Sequence, residues 1–236
     1  MNDRPSPKPL GWTPSLFEAQ DGSAGPNAHP GAPAIELETG AWLLPGFALS
    51  QASELLAAIK AVSAAAPFRA LVTPGGHEMS VAMTSCGEAG WVSNEHGYRY
   101  AKQDPISGEP WPAMPTEFAE LGPRAARAAG FEHFEPSAAI LNRYAVGSRL
   151  SLHQDRDEQD LSQPIVSLSL GLPAVFLLGG FERSAPTQRR LLEHGDVVVW
   201  GGPSRLRYHG VQPIQPARHP IAGPFRYNVT FRSVKR

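Results

Sequence analysis

The apolar positions of this chain keep two different rhythms. In QASELLAAIKAVSAAA, residues 51–66, they recur three and four apart, the spacing of one helix face. Ser50 is placed to cap that helix and Pro67 to end it. TEFAELGPRAARAAG, residues 116–130, predicts a second helix. Gly122-Pro123 should break or kink it, because proline brings no N–H, and Gly130 fits its C-terminal stop. After Pro136 the rhythm shortens to that of strands. AAILNRY, RLSLHQD, PIVSLSLG, AVFLLG, RRLLEHG, DVVVW, RLRYHGV and FRYNVTFR are short and β-rich, and the turns AVGS, GLPA, LGGF, EHGD and WGGPS separate them. About eight short strands with no helix between them predict an antiparallel sandwich or barrel, most naturally a double-stranded β-helix, or jelly roll. With IELETGAWLLPGF as strand and turn, the expected class is mostly β with flanking helices (α+β).

The same pattern suggests the domain organisation. Residues 1–34 are rich in Pro, Gly, Ala and Ser and have no periodicity, so a flexible arm is expected there, with His29 exposed. Residues 35–236 read as one domain. Within it, 67–115 carry turn residues and scattered aromatics (TPGG, SCGEAGW, HGYRY, EPWPAMP), the texture of a binding loop or lid, and 136–236 form the jelly-roll core.

Composition narrows the setting. With 236 residues, 42% of them hydrophobic, the chain can bury a sizeable core. No apolar run approaches the roughly 18 residues that would span a bilayer, and MNDRPSPKPLGW lacks the plan of a secretory signal. Cys86 is the single cysteine, which suits a reducing compartment, so a cytoplasmic protein with no membrane partner is expected. In MTSCGEAG no histidine is placed to activate that thiol, and a small buried residue is the simpler reading. The formal net charge of −1 excludes a polycation; a nucleic-acid partner would need a local basic patch.

Candidate chemistry concentrates in two strands. If RLSLHQD is a strand, Leu150 and Leu152 share one face while Ser151, His153 and Asp155 share the other. Two ligands at i and i+2 converge on a metal, but His-x-Asp alone is also what a histidine beside a charged turn looks like. His194 lies in a turn signature and His219 in a loop, whereas His209 lies in a strand and is the best third ligand. Two histidines and one carboxylate are the donor set of non-haem Fe(II) oxygenases. In FRYNVTFR, Arg226, Asn228, Thr230 and Arg232 share a face, opposite Tyr227, Val229 and Phe231. The two arginines, roughly 20 Å apart at their Cα atoms, could close on a small dicarboxylate; a solvated edge strand would look the same. A metal triad with a dicarboxylate clamp is the equipment of a 2-oxoglutarate-dependent dioxygenase. Two rivals stand beside that reading. One is a 2-oxoglutarate hydroxylase of a protein or small metabolite. The other is a β-sandwich binding module with structural Zn(II), for which no cysteine lies near His153.

TPGGHEMSVAMTSCG, GWVSNEHGYRY, PWPAMP, LNRYAVGSRLSLHQDRDE, PIVSLSLGLPAVF, LLEHGDVVVWGG, RLRYHG and RYNVTFR resemble the AlkB-type nucleic-acid dealkylating dioxygenases, from about Ile35 to Arg232. The resemblance implies Fe(II) held by His153, Asp155 and His209, with 2-oxoglutarate as co-substrate. Arg226 would take its distal carboxylate with Asn142 and Tyr144; Arg232 with Asn228 would serve the iron-chelating end. Trp91, Tyr98 and Tyr100 in the lid, with Asp157 and Arg183, would form the substrate pocket. The implied reaction is oxidative dealkylation of bases such as 1-methyladenine and 3-methylcytosine, in single- or double-stranded DNA with RNA left open. It consumes O2 and yields succinate, CO2 and an aldehyde. A monomer is expected. Arg149, Arg156 and Arg183 are candidates for phosphate contacts, while Gln154, Arg156 and Glu158 are expected to alternate away from the iron. One departure is visible: a member of the family carries a tyrosine where this chain has His77.

Overall fold

Strands β1 (Ile35–Glu38), β2 (Ala41–Leu44), β3 (Arg69–Val72) and β4 (Glu78–Gly87) precede a two-stranded ribbon, β5 (Gly90–Asn94) and β6 (Gly97–Ala101). Further along come β7 (Ala138–Tyr144), β8 (Leu150–His153), β9 (Ile165–Gly171), β10 (Ala174–Leu178), β11 (Gln188–Leu192), β12 (Val197–Trp200), β13 (His209–Val211) and β14 (Arg226–Arg232). Helix α1 spans Ala52–Ala65 and α2 Thr116–Ala128. These come from a computed structural model that describes residues 31–95 and 97–234. Residues 1–30 of the expected arm, His29 among them, lie outside the described residues.

The chain builds two antiparallel sheets. The larger runs β1-β2-β12-β9-β14-β7-β4-β3 and the smaller β11-β10-β13-β8. From β7 to β14 the strands pass repeatedly between the two, which is the jelly roll that the period-two segments predict. Alternation along each central strand then divides the chemistry. Leu141, Val166, Leu168, Val229 and Phe231 turn outward and pack under α1 and α2. The other faces of β7, β9 and β14 turn inward, toward the small sheet, where Tyr144, Leu178, Trp200 and Val211 contribute to a second apolar cluster.

Three local expectations change. Ser50 makes no cap: α1 begins after a short 3-10 turn at Leu49–Gln51, with no side-chain hydrogen bond at its start. Pro123 does not break α2. Phe118, Leu121, Ala125 and Ala126 are buried on both sides of it, and Gly122 lies against Pro136 and Phe231 so closely that a Cβ there would come within 3.1 Å of the proline ring. That packing carries the helix past the missing N–H. Gly130 does lie just past the end, at φ 86°. Finally, β3 and β4 join the large sheet, so only the β5–β6 ribbon within 67–115 stands apart as its own sheet. Among the described residues, no helix is long and apolar enough to cross a membrane.

Candidate active site

β13 lies beside β8 with His209 directly opposite His153. Close approach is needed here: a Cβ on Gly210 would fall 2.7 Å from the Leu150 carbonyl oxygen. The strand β8 ends at His153, so Asp155 lies beyond it, and strand alternation is not what orients its carboxylate. Asp155 nevertheless meets both rings: Oδ1 is 3.5 Å from His153 Nε2 and Oδ2 is 3.2 Å from His209 Nε2. One donor atom from each of the three lies within 4.8 Å of the others.

Each histidine is set by its other nitrogen. His153 Nδ1 is 2.9 Å from the Ser151 carbonyl and His209 Nδ1 is 3.1 Å from the Arg207 carbonyl. A carbonyl only accepts, so both Nδ1 atoms carry hydrogen and both Nε2 atoms face Asp155. Trp200 packs its ring 4.8 Å from that of His209, which is 5% exposed. Burial works to raise the Asp155 pKa, but Arg232 and the two histidines overcome it and hold the carboxyl well below its ordinary range. Burial lowers His209, whereas at His153 the hydrogen bond and charge of Asp155 outweigh burial and raise it. The set is ready to receive a divalent cation: a charged carboxylate and two oriented imidazoles.

The inner face of β14 is a row of buried polar groups. Arg226 is 1% exposed; its Nη2 donates to Ser169 Oγ at 2.9 Å, while Nε and Nη1 have no hydrogen-bond partner among the described residues. Asn142 donates to Asn228 at 3.0 Å, and Asn228 donates to Ser167 Oγ at 2.7 Å. The Tyr144 ring lies 5.9 Å from the Arg226 guanidinium, and burial pushes its phenol up to about 12, so the O–H stays a donor. A buried guanidinium with two unpartnered nitrogens is costly unless an anion arrives. Arg232 at the other end is different: Nη2 is 2.9 Å from Asp155 and Nη1 2.6 Å from Glu158. Both of its terminal nitrogens face acids rather than Asn228.

The lid residues fall into two groups. Trp91 stacks on Tyr98 (centroids 5.2 Å, planes 12° apart) and donates its indole N–H to Asp157 at 2.8 Å. Tyr98, Asp157 and Arg183 are exposed, Arg183 lying over the Tyr208 ring at 5.4 Å. Tyr100 instead points inward and donates to Glu158 at 2.6 Å. His77, exposed, lies in the β3–β4 turn with its N–H on Thr73 Oγ1. Arg149 and Arg156 are exposed, and Gln154 donates to the Leu206 carbonyl. Cys86 is buried with its thiol pushed up to about 12, and His194 accepts the Gly171 N–H through Nδ1.

One expectation is wrong outright. Glu158 does not alternate away; it is 6% exposed and takes bonds from Tyr100, Arg232 and Arg205. Because β8 stops at His153, the rule of alternating faces no longer applies by residue 158. Arg205 and Ser169 also escape a reading of local patterns, although Ser167 and Ser169, two apart in an apolar strand, signal a polar inner face.

Two imidazoles and a carboxylate inside a double-stranded β-helix, on the same side as a buried arginine free to grip an anion, define the non-haem Fe(II) oxygenases as a class. Residues 40–232 match the family model for the 2OG-Fe(II) oxygenase superfamily. The chain belongs to that superfamily, and within it to the AlkB dioxygenases: it is an Fe(II)- and 2-oxoglutarate-dependent dioxygenase. It is 58% identical to the alpha-ketoglutarate-dependent dioxygenase AlkB of Salmonella typhimurium, over 83% of this chain and 91% of that protein. It is 37% identical to the mouse nucleic acid dioxygenase ALKBH1, over 55% of this chain and 33% of that one. The solved structure of OsALKBH1 superimposes with a TM-score of 0.75 at 29% identity, covering 85% of this chain and all of that one.

Proposed function

We propose that this dioxygenase removes alkyl groups from base nitrogens of nucleic acids, with His153, Asp155 and His209 holding Fe(II) and Arg226 anchoring 2-oxoglutarate. The observation that carries the reading is the pairing of a converged His-Asp-His set with a buried guanidinium that still has N–H groups to give. The residues fit both groups: three oriented donors suit Fe(II), and Arg226 with the Tyr144 hydroxyl suits a carboxylate. Bound Fe(II), with 2-oxoglutarate and O2, supplies the oxidation that hydroxylates the alkyl carbon, and the products are succinate, CO2, an aldehyde and the unmodified base.

The chain's own part is binding and orientation. Arg226 takes the distal carboxylate by a forked pair of hydrogen bonds that uses the second N–H of Nη2, whose first N–H Ser169 holds in place. Carbonyls of Ser151 and Arg207 orient both rings, so that their Nε2 atoms would be the ones to hold Fe(II). The target base must leave the stack to reach the site. Trp91 and Tyr98 offer it a flat aromatic surface, and Asp157, already oriented by the Trp91 N–H, favours the positive charge of 1-methyladenine or 3-methylcytosine. Exposed Arg149, Arg156 and Arg183 meet phosphates. On this reading the enzyme is a cytoplasmic monomer acting on single- or double-stranded DNA, and RNA is a second substrate to try.

The experiment measures aldehyde and succinate together, using methylated and unmethylated oligonucleotides of one sequence. Matched release from the methylated strand alone supports dealkylation. Succinate formed equally with both strands, and no aldehyde, points to a hydroxylase of some other substrate.

A further inference from the structure

We propose that Glu158 is a positioning residue that divides Arg232 between two carboxylates, keeping Asp155 available to a metal, and that anchors the β5–β6 ribbon through Tyr100. The inference rests on the metal site proposed above and adds a residue outside it. Glu158 Oε1 accepts from Tyr100 Oη and from Arg232 Nη1, each at 2.6 Å, and Oε2 accepts from Arg205 Nη2 at 2.9 Å. Arg232 passes its other nitrogen to Asp155 at 2.9 Å. Arg205 donates Nη1 to the Asp155 carbonyl and Nε to the Gln163 carbonyl. Asp155 lies past the end of β8, where no ladder fixes it, and these two guanidiniums hold it instead. Both guanidiniums are themselves held by Glu158.

The physical reason for the division is the shape of arginine. A guanidinium left with one carboxylate grips both oxygens by its fork. Arg232 with only Asp155 to pair would occupy the oxygens that a metal needs. Glu158 takes one arm of that fork, so a single nitrogen reaches Asp155. Its negative charge also balances a second cation beside a site that must accept a dication. The Tyr100 bond reaches the same carboxylate from β6, so ribbon and metal-binding carboxylate share one anchor.

The test is Co(II) binding to the full-length protein, followed by visible absorption, with 2-oxoglutarate added afterwards. Glu158→Gln keeps the shape and an acceptor for Tyr100 but loses the charge; we expect Co(II) affinity to fall by about tenfold, in the range usual for groups behind a metal ligand, and the absorption bands to change shape. Tyr100→Phe should leave affinity and bands as in wild type but raise KM for a methylated oligonucleotide without raising KM for 2-oxoglutarate. Should Glu158→Gln fail to fold, Glu158→Asp, one methylene shorter, should show a smaller loss in the same direction. Wild-type affinity and unchanged bands in the glutamate variant, with only a lower melting temperature, would overturn the proposal and leave Glu158 a purely structural group. Wild-type protein whose spectrum responds neither to Co(II) nor to 2-oxoglutarate would instead remove the metal site itself.

Discussion

The two ends of β14 carry the same residue type on the same inner face, and the molecule treats them in opposite ways. Arg226 and Arg232 are 1% and 6% exposed. Arg232 lies between two carboxylates, and they outweigh burial and raise its pKa. Among the described residues, Arg226 has a serine hydroxyl for one nitrogen and no hydrogen-bond partner for the other two, and burial lowers its pKa. A buried cation matched by anions is part of the scaffold. A buried cation without them is prepared for a ligand that brings its own charge. The contrast separates what positions the site from what the site is for.

Substitution should pull the two ends apart. Arg232→Met leaves Asp155 and Glu158 buried without their cation and should cost about 3–5 kcal/mol, seen in calorimetry as a melting temperature lower by roughly 10 °C. Arg226→Met removes no paired charge. It should leave the melting temperature of the ligand-free protein unchanged or raise it, while KM for 2-oxoglutarate rises by about a hundredfold through two lost charge-assisted bonds. Added 2-oxoglutarate should stabilise metal-loaded wild type and not this variant. If both arginine variants lose stability alike, the contrast fails.

Smaller effects sharpen the Arg226 end. Tyr144→Phe deletes one hydroxyl donor and should raise KM for 2-oxoglutarate by about fivefold, with kcat nearly kept. His194 accepts the N–H of Gly171, the cross-strand partner of Arg226. Burial, with His219 beside it, lowers His194 from 6.5 to about 4. Its neutral form is favoured in the folded state, so the unfolded chain takes up the proton first as pH falls. The stability it contributes is whole above pH 6.5 and is lost between 6.5 and about 4. Melting curves across that window should fall less steeply for His194→Gln than for wild type.

Much of this was legible in the residues. The period-two segments after Pro136 predict the jelly roll, and alternation in RYNVTFR separates Arg226, Asn228, Thr230 and Arg232 from Tyr227, Val229 and Phe231 as the sheet does. His153 and His209 stand opposite each other on paired strands, within reach of a strand-based reading. Asp155 does lie beside His153, but not by strand alternation, since the strand has already ended. The same extrapolation fails at Glu158, well past the end of the ladder, where long-range pairing with Arg205 and Arg232 decides the side chain's direction. α2 survives Pro123 because of contacts with Pro136 and Phe231, which no local propensity contains. Alternation reads faces only while a strand lasts; beyond its end, charge pairing takes over.

The most direct measurement is the mass of an oligonucleotide carrying one 1-methyladenine after incubation with the protein, Fe(II), 2-oxoglutarate and O2. The account predicts a product lighter by one methylene, and no change with His153→Ala. An unchanged mass with the wild-type protein, under conditions where it turns over 2-oxoglutarate, would contradict it.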